Sequence, residues 1–195
     1  MNEKLRDLGL EYKGKARVKH ISRVLYEDVG VEKIKREVIR DLSGFRAAPH
    51  YGCHYLKPKS VFGGFEEPDN PKTLHQLILA VGAHPVEYET GNLCCGGKAF
   101  PVSEDLARSL VQKKLADLTD KEADALVLQC QTCYLMYSDQ QGKISKEYGE
   151  HYDLPVLLYP QLLGLALGAD PVKDLGLGLH IISPDKIIAK AAAHK

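Results

Sequence analysis

The spacing of apolar positions changes character near residue 44. Upstream, VEKIKREVIRDL spaces Val31, Ile34, Val38 and Leu42 by three or four residues within a charge-rich stretch. That period places all four on one side of a helix, a stripe that must dock on something. The spacing therefore predicts a helical arm or linker-like segment over 1–43. Downstream, short apolar runs alternate with helical patterns: GFRAAPHYG, a helix in PKTLHQLILAVGA, HPVEYE, a helix in SEDLARSLVQKKLADL, DALVLQ, LPVLLY and a last helix in QLLGLALGA. Strand-helix alternation of this kind predicts an α/β domain over 44–195, with a mostly parallel sheet of about four strands flanked by helices. Helix starts carry their own signals. Asn70 is placed to cap before Pro71, and Ser103 to cap before Glu104 and Asp105, whose charges suit the positive end of the helix dipole. Leu106, Leu110, Leu115 and Leu118 are expected to form a core stripe.

Composition narrows the function classes. The 195 residues are 44% hydrophobic, enough for one domain with a core and an appendage. Lysine and arginine together number 26, as do aspartate and glutamate, so no basic field points to nucleic acid or an anionic membrane. The N-terminal MNEKLRDLGLEYKGKARVKH lacks the apolar core of a secretory signal, which makes the cytoplasm the expected compartment. The most apolar run, LPVLLYPQLLGLALGA, is short for a bilayer and is broken by Pro160, Gly164 and Gly168, so no membrane span is expected.

Five cysteines in a reducing compartment favour metal or redox chemistry over a disulfide framework. On the predicted map Cys53 follows the first strand, Cys94 and Cys95 follow the second, Cys130 closes the third and Cys133 opens the next helix. Parallel strands end together, so three loops would deliver five thiols to the carboxyl edge of the sheet. The spacing is C-x40-C-C-x34-C-x2-C. If the target is a multi-iron cluster, each part has a reason. Gly52, Gly96 and Gly97 free the backbone to turn tightly beside a bulky inorganic core. Cys130 and Cys133 bring two thiolates from one turn, with the helix dipole near Cys133 favouring the thiolate. Adjacent Cys94 and Cys95 could address different irons. Five sulfurs exceed a tetrahedral zinc site by one. A zinc-binding structural or assembly module using four of them is the main rival. A thioredoxin-like thiol exchanger built on Cys130 and Cys133, with Leu154-Pro155-Val156 as its proline loop, is another. Buried structural cysteines are the third.

Around the cysteines, His54 and His50 could give a proton to a departing thiolate or simply hold the loop. Lys57, Lys59 and Lys98 could meet an anionic group of a substrate or stay solvated. Tyr51, Tyr55 and Tyr134 read as wall and packing residues. From this set His54 and Lys98 are the candidate catalytic residues.

The segments HYGCHYLKP, NLCCGG, LQCQTC and LLYPQLLGLALG resemble, at matching places, the cysteine-rich, CCG-containing domain of the heterodisulfide reductase B subunit and its relatives. The likeness covers nearly the whole chain. It resembles the C-terminal of two tandem domains, the first twenty residues being similar to the linker and the start of the second half. What the resemblance implies is a noncubane 4Fe-4S cluster, with Cys53, Cys94, Cys95, Cys130 and Cys133 at the ligand positions, and disulfide reduction or the reverse thiol oxidation. It further implies a substrate held between the clusters of two CCG domains. The implied partners are a second CCG-containing domain or polypeptide, a cubane iron-sulfur subunit and a flavin subunit, each resembling its counterpart in heterodisulfide reductase.

Overall fold

A computed structural model describes residues 2–15 and 18–193. The arm's stripe does dock, through helix α1, Val31–Glu37. Ile34 and Leu42 are buried, and Val31 and Val38 pack against the same core. The helix is shorter than the stripe suggests because Val38 turns extended. The N–H groups of Ile39 and Arg40 then donate to the Ala166 carbonyl, at 2.8 and 2.9 Å.

The chain continues through β1 (Arg46–His50), α2 (Cys53–Leu56), α3 (Thr73–Ala80), β2 (His84–Pro85), α4 (Glu104–Asp120), β3 (Ala125–Leu128), α5 (Gln131–Asp139), α6 (Gln141–Tyr148), β4 (Val156–Leu158), α7 (Tyr159–Ala166) and α8 (Asp185–Ala193). The four strands lie in the order β2-β1-β3-β4, and every pairing is parallel. This is the α/β architecture the alternation predicts. Period-two alternation sends Ala125 and Val127 to one core and Leu126 and Leu128 to the other, so each face of β3 is covered. Among the described residues no helix is long and apolar enough to cross a membrane.

Pro49 sits inside β1, an unusual place for a residue with no N–H. The pairing explains it. Strand β2 spans two residues and ends at Pro85, opposite Ala47, so no partner asks Pro49 for a donor on that side. The Pro49 carbonyl is satisfied by the Tyr88 hydroxyl at 2.8 Å.

Helix starts and faces depart from the sequence reading in two places. Ser103 caps α4 as expected, its hydroxyl accepting the Leu106 N–H at 3.4 Å. Asn70 does not cap. Helix α3 begins later, and the Glu66 carboxylate, brought back by the intervening loop, accepts the N–H groups of Lys72 and Thr73 at 2.6 and 3.2 Å. In α4 the buried row is Ala107, Val111, Lys114, Leu115 and Leu118. Leu106 is 53% exposed, and Leu110 only half-buried. The inward face follows the i, i+4, i+7, i+8, i+11 positions from Ala107, and that row includes a small residue and a lysine that a search for leucines passes over.

Candidate metal centre

Three strand ends deliver the cysteines. Cys53 opens α2 directly after Gly52. Cys94 and Cys95 lie in the connection from β2 to α4, Cys130 is the residue before α5, and Cys133 lies in that helix's first turn. All five line one small depression at the carboxyl edge, together with His54 and Lys98. Each of the five is a free cysteine.

The adjacent pair divides the site. Cys94 is exposed whereas Cys95 is buried. The Gly96 N–H reaches the Cys94 Sγ at 3.4 Å, and Cys94 pairs with the Cys53 thiol, beside which burial and the Cys94 charge push the Cys53 pKa up. Cys95 instead turns inward and hydrogen-bonds with Cys133, which also bonds with Cys130. Successive side chains in an extended loop point to opposite sides, so one dipeptide serves an outer pair and an inner trio.

The inner trio is electrostatically uneven. The Cys133 thiol donates toward Cys130 and the Thr132 and Cys133 backbone N–H groups add to it, which lowers the Cys130 pKa to about 5. The same Cys133 donor lowers Cys95 to about 7. Cys133 itself is raised, because its two neighbours are stabilised as thiolates by its proton. The open N–H groups at the start of α5 therefore favour the thiolate of Cys130 rather than that of Cys133, which corrects the expectation from sequence.

The glycines act by close approach, and not all toward the thiols. Gly52 has φ +77°, and a Cβ there would stand 3.2 Å from the Cys130 Cβ. Gly96 has φ +74°, and its Cβ would lie 2.8 Å from the Ala107 Cα. A Cβ on Gly97 would meet the Thr132 Cγ2 at 2.6 Å. The glycine pair thus lets the loop press onto α4 and α5; the room it makes is for helices.

Other residues singled out in the sequence fall away from the depression. His50 is buried, edge-on to the Tyr137 ring with centroids 5.1 Å apart. Burial, then the Lys114 charge, hold its pKa well below the usual value, so it is not placed as a surface proton donor. Lys59 pairs with Glu67 at 2.5 Å. Lys57 is exposed and lines a neighbouring hollow that also reaches Cys53 and Cys94. The Tyr51 hydroxyl accepts the N–H groups of Leu74 and His75, at 3.0 and 3.2 Å, and so caps α3. Tyr134 packs edge-on to His180, and Tyr55 to His20. Pro155 precedes β4, at the amino end of the sheet, with its carbonyl accepting the Leu126 N–H. It cannot serve as a proline loop facing Cys130 and Cys133, which removes that part of the thioredoxin-like reading.

Sequence reading missed Lys114. It has no exposed surface, and its ammonium donates to the Thr90 carbonyl and, at 3.0 Å, to that of Gly91. Its appearance within the apolar row of α4 is the signal that could have found it. It missed His20 as well, whose Nδ1 accepts the Ser22 N–H at 3.2 Å, leaving Nε2–H to donate to the Gln129 carbonyl at 2.9 Å.

The donor chemistry fits a thiophilic metal group. Among the described residues no three His, Cys, Asp or Glu side chains are arranged to hold one metal ion, yet five sulfurs surround one depression. Soft thiolates in that number suit an iron-sulfur group better than a single tetrahedral ion.

Comparison with known proteins agrees with this donor set. A model described as "CCG: Cysteine-rich domain" matches residues 47–138. The B subunit of a ferredoxin/F(420)H(2)-dependent CoB-CoM heterodisulfide reductase from Methanosarcina acetivorans is 37% identical over 97% of this chain and 63% of its own length. A protein from Archaeoglobus profundus, described as like the heterodisulfide reductase B subunit, is 35% identical over the full chain and 66% of its own length. An 8-methylmenaquinol:fumarate reductase membrane anchor subunit from Wolinella succinogenes is 33% identical over 91% of the chain and 61% of its own. The chain thus spans a little under two thirds of the relatives it matches. A hypothetical protein from Helicobacter pylori, 17% identical, superposes with a TM-score of 0.71 over 93% of this chain and 32% of its own, a likeness of fold. With its cysteines gathered at one sheet edge and its identity to these relatives running almost end to end, the chain belongs to the cysteine-rich CCG-domain family that includes the heterodisulfide reductase B subunit.

Proposed function

We propose that this chain is the redox module of a heterodisulfide reductase-like complex, holding a noncubane 4Fe-4S cluster on Cys53, Cys94, Cys95, Cys130 and Cys133. The observation that carries the reading is the division of five thiols into an outer pair and an inner trio around one depression. Such a spread suits several metal atoms, whereas one zinc would use four donors around a single point. When bound, the cluster supplies electrons one at a time to a substrate disulfide.

The reaction is RSSR′ + 2 e⁻ + 2 H⁺ giving two thiols, or its reverse, and this chain's residues carry parts of it. His54 is exposed on the rim beside Cys53, where it can hand a proton to a thiolate as the S–S bond breaks. Lys98, exposed on the same rim, can bind an anionic group of the substrate. The depression is small, and as one half of a two-domain site it would offer a single wall. The second sulfur of the disulfide then needs an acceptor on a second CCG-containing domain, and electrons need a cubane iron-sulfur subunit fed by a flavin subunit.

The test is iron, acid-labile sulfide and visible absorption of anaerobically prepared protein, followed by disulfide reduction with an artificial donor, with and without a second CCG domain. Iron and sulfide near about four each per chain, with turnover rising on addition of the second domain, is expected. One zinc without sulfide would instead support the structural-module reading.

A further inference from the structure

Among the described residues, Lys114 is the one Lys, Arg, Asp or Glu that is buried. A lysine in that position is costly unless something compensates it. Its ammonium is fixed from two directions. The carbonyls of Thr90 and Gly91, four and three residues before Cys94, accept from it, and it lies 4.9 Å from the centroid of the Tyr88 ring. One turn along α4, the Asp117 carboxylate accepts the Thr90 N–H and hydroxyl, at 2.7 and 2.8 Å. The root of the cysteine loop is thus clamped to α4 by a cation and an anion.

We propose that Lys114 is a positioning residue for the cysteine loop and the buried positive charge against which its thiolates, and the group they hold, are balanced. The inference rests on the iron-sulfur reading above and adds a residue to it. Two carbonyl contacts account for the anchoring, but a glutamine or a water could supply donors without a charge. What calls for a charge is the row of sulfurs beyond the loop. Burial lowers the lysine to about 7 even with Asp117, and then Cys133, Cys95 and Cys94, pulling it upward. By linkage, a cation stabilised by those sulfurs stabilises their negative charge in return. In a poorly solvated region this mutual effect falls off slowly with distance. Reduction adds negative charge to the site, so a nearby fixed cation raises its potential.

The experiment compares wild type, Lys114→Met and Asp117→Asn, each loaded anaerobically and titrated with dithionite while absorption is followed. Methionine keeps the apolar stem and removes the charge. Asparagine keeps an oxygen for Thr90 and removes a negative charge. Lys114→Met is expected to shift the one-electron equilibrium about tenfold toward the oxidised form, about 59 mV more negative, and Asp117→Asn to shift it in the opposite direction. A merely structural clamp would move both the same way or neither, and either outcome overturns the proposal. Should Lys114→Met fail to fold or load, Asp117→Asn decides alone, and an unchanged or lowered potential overturns it. Should wild type contain no iron or sulfide, the iron-sulfur reading fails first. The charge is then read on metal-free protein, where carboxymethylation of Cys94 at pH 7 is expected to be slower in Lys114→Met and faster in Asp117→Asn; equal rates overturn the proposal.

Discussion

Gly52 packs its bare Cα against Cys130: a Cβ there would stand 3.2 Å from the Cys130 Cβ and 3.5 Å from the Cys133 Sγ. At φ +77° and ψ 141° the backbone also occupies a region that glycine favours strongly. Gly52→Ala should therefore cost about 1–3 kcal/mol of stability and reduce metal loading although no ligand changes. Thermal denaturation of metal-free protein and metal content after reconstitution measure the two effects. Wild-type loading in the variant would show that the Gly52 contact does not hold the thiols in place.

Gly96 and Gly97 should respond differently to relief. Gly96→Ala drives a methyl to 2.8 Å from the Ala107 Cα, a backbone atom, so a loss of about 3 kcal/mol should persist in the double variant with Ala107→Gly. Gly97→Ala meets the Thr132 methyl at 2.6 Å, which Thr132→Ser removes. Chemical denaturation should show recovery in the second pair and little in the first.

Substituting the adjacent cysteines should separate folding from loading. Cys94→Ser alters an exposed thiol and should leave the metal-free protein as stable as wild type. Cys95→Ala removes a buried sulfur and its bond with Cys133, at about 1–2 kcal/mol. Both are expected to lower bound iron. If either retained wild-type metal content and spectrum, that position would not be a ligand.

Cys130 should be the acid-tolerant nucleophile of the metal-free protein. Its pKa is lowered to about 5, so the thiolate is present above that pH and lost below it. Alkylation followed by mass spectrometry should be half-maximal near about pH 5. Cys133→Ala removes the main donor and should move that midpoint upward; an unchanged midpoint would assign the lowering to the backbone N–H groups of α5.

His20 tethers the arm to the strand end beside Cys130. His20→Ala should leave the sheet's stability within about 1 kcal/mol while exposing the segment around residue 20 to faster proteolysis. Equal cleavage rates would show that the apolar contacts of Ile34 and Leu42 suffice.

The sheet and the thiol cluster were legible because both follow from periodicity and strand direction. Parallel strands ending together bring Cys53 and Cys130 to one edge directly, and the connection after β2 carries Cys94 and Cys95 to the same edge. What escaped depended on tertiary contact. Glu66 caps α3 from a loop, and nothing local marks it over Asn70. The glycine pair reads as room for a cofactor until Ala107 and Thr132 are seen against it. Lys114 looks like one of many helix lysines, and its burial is set by the loop that folds over it.

The short β2 strand and the two-sided core have a bearing on the order of assembly. Buried residues such as Leu77, Val111, Leu126 and Leu157 hold the strands together without any bound group, so the donor-bearing loops are expected to converge before anything is bound. In a small zinc domain the metal's binding energy is the folding energy. Here the two are expected to be separable: the sheet should mature first, with loading a late step on a finished template, and protein stripped of metal should remain competent to be refilled.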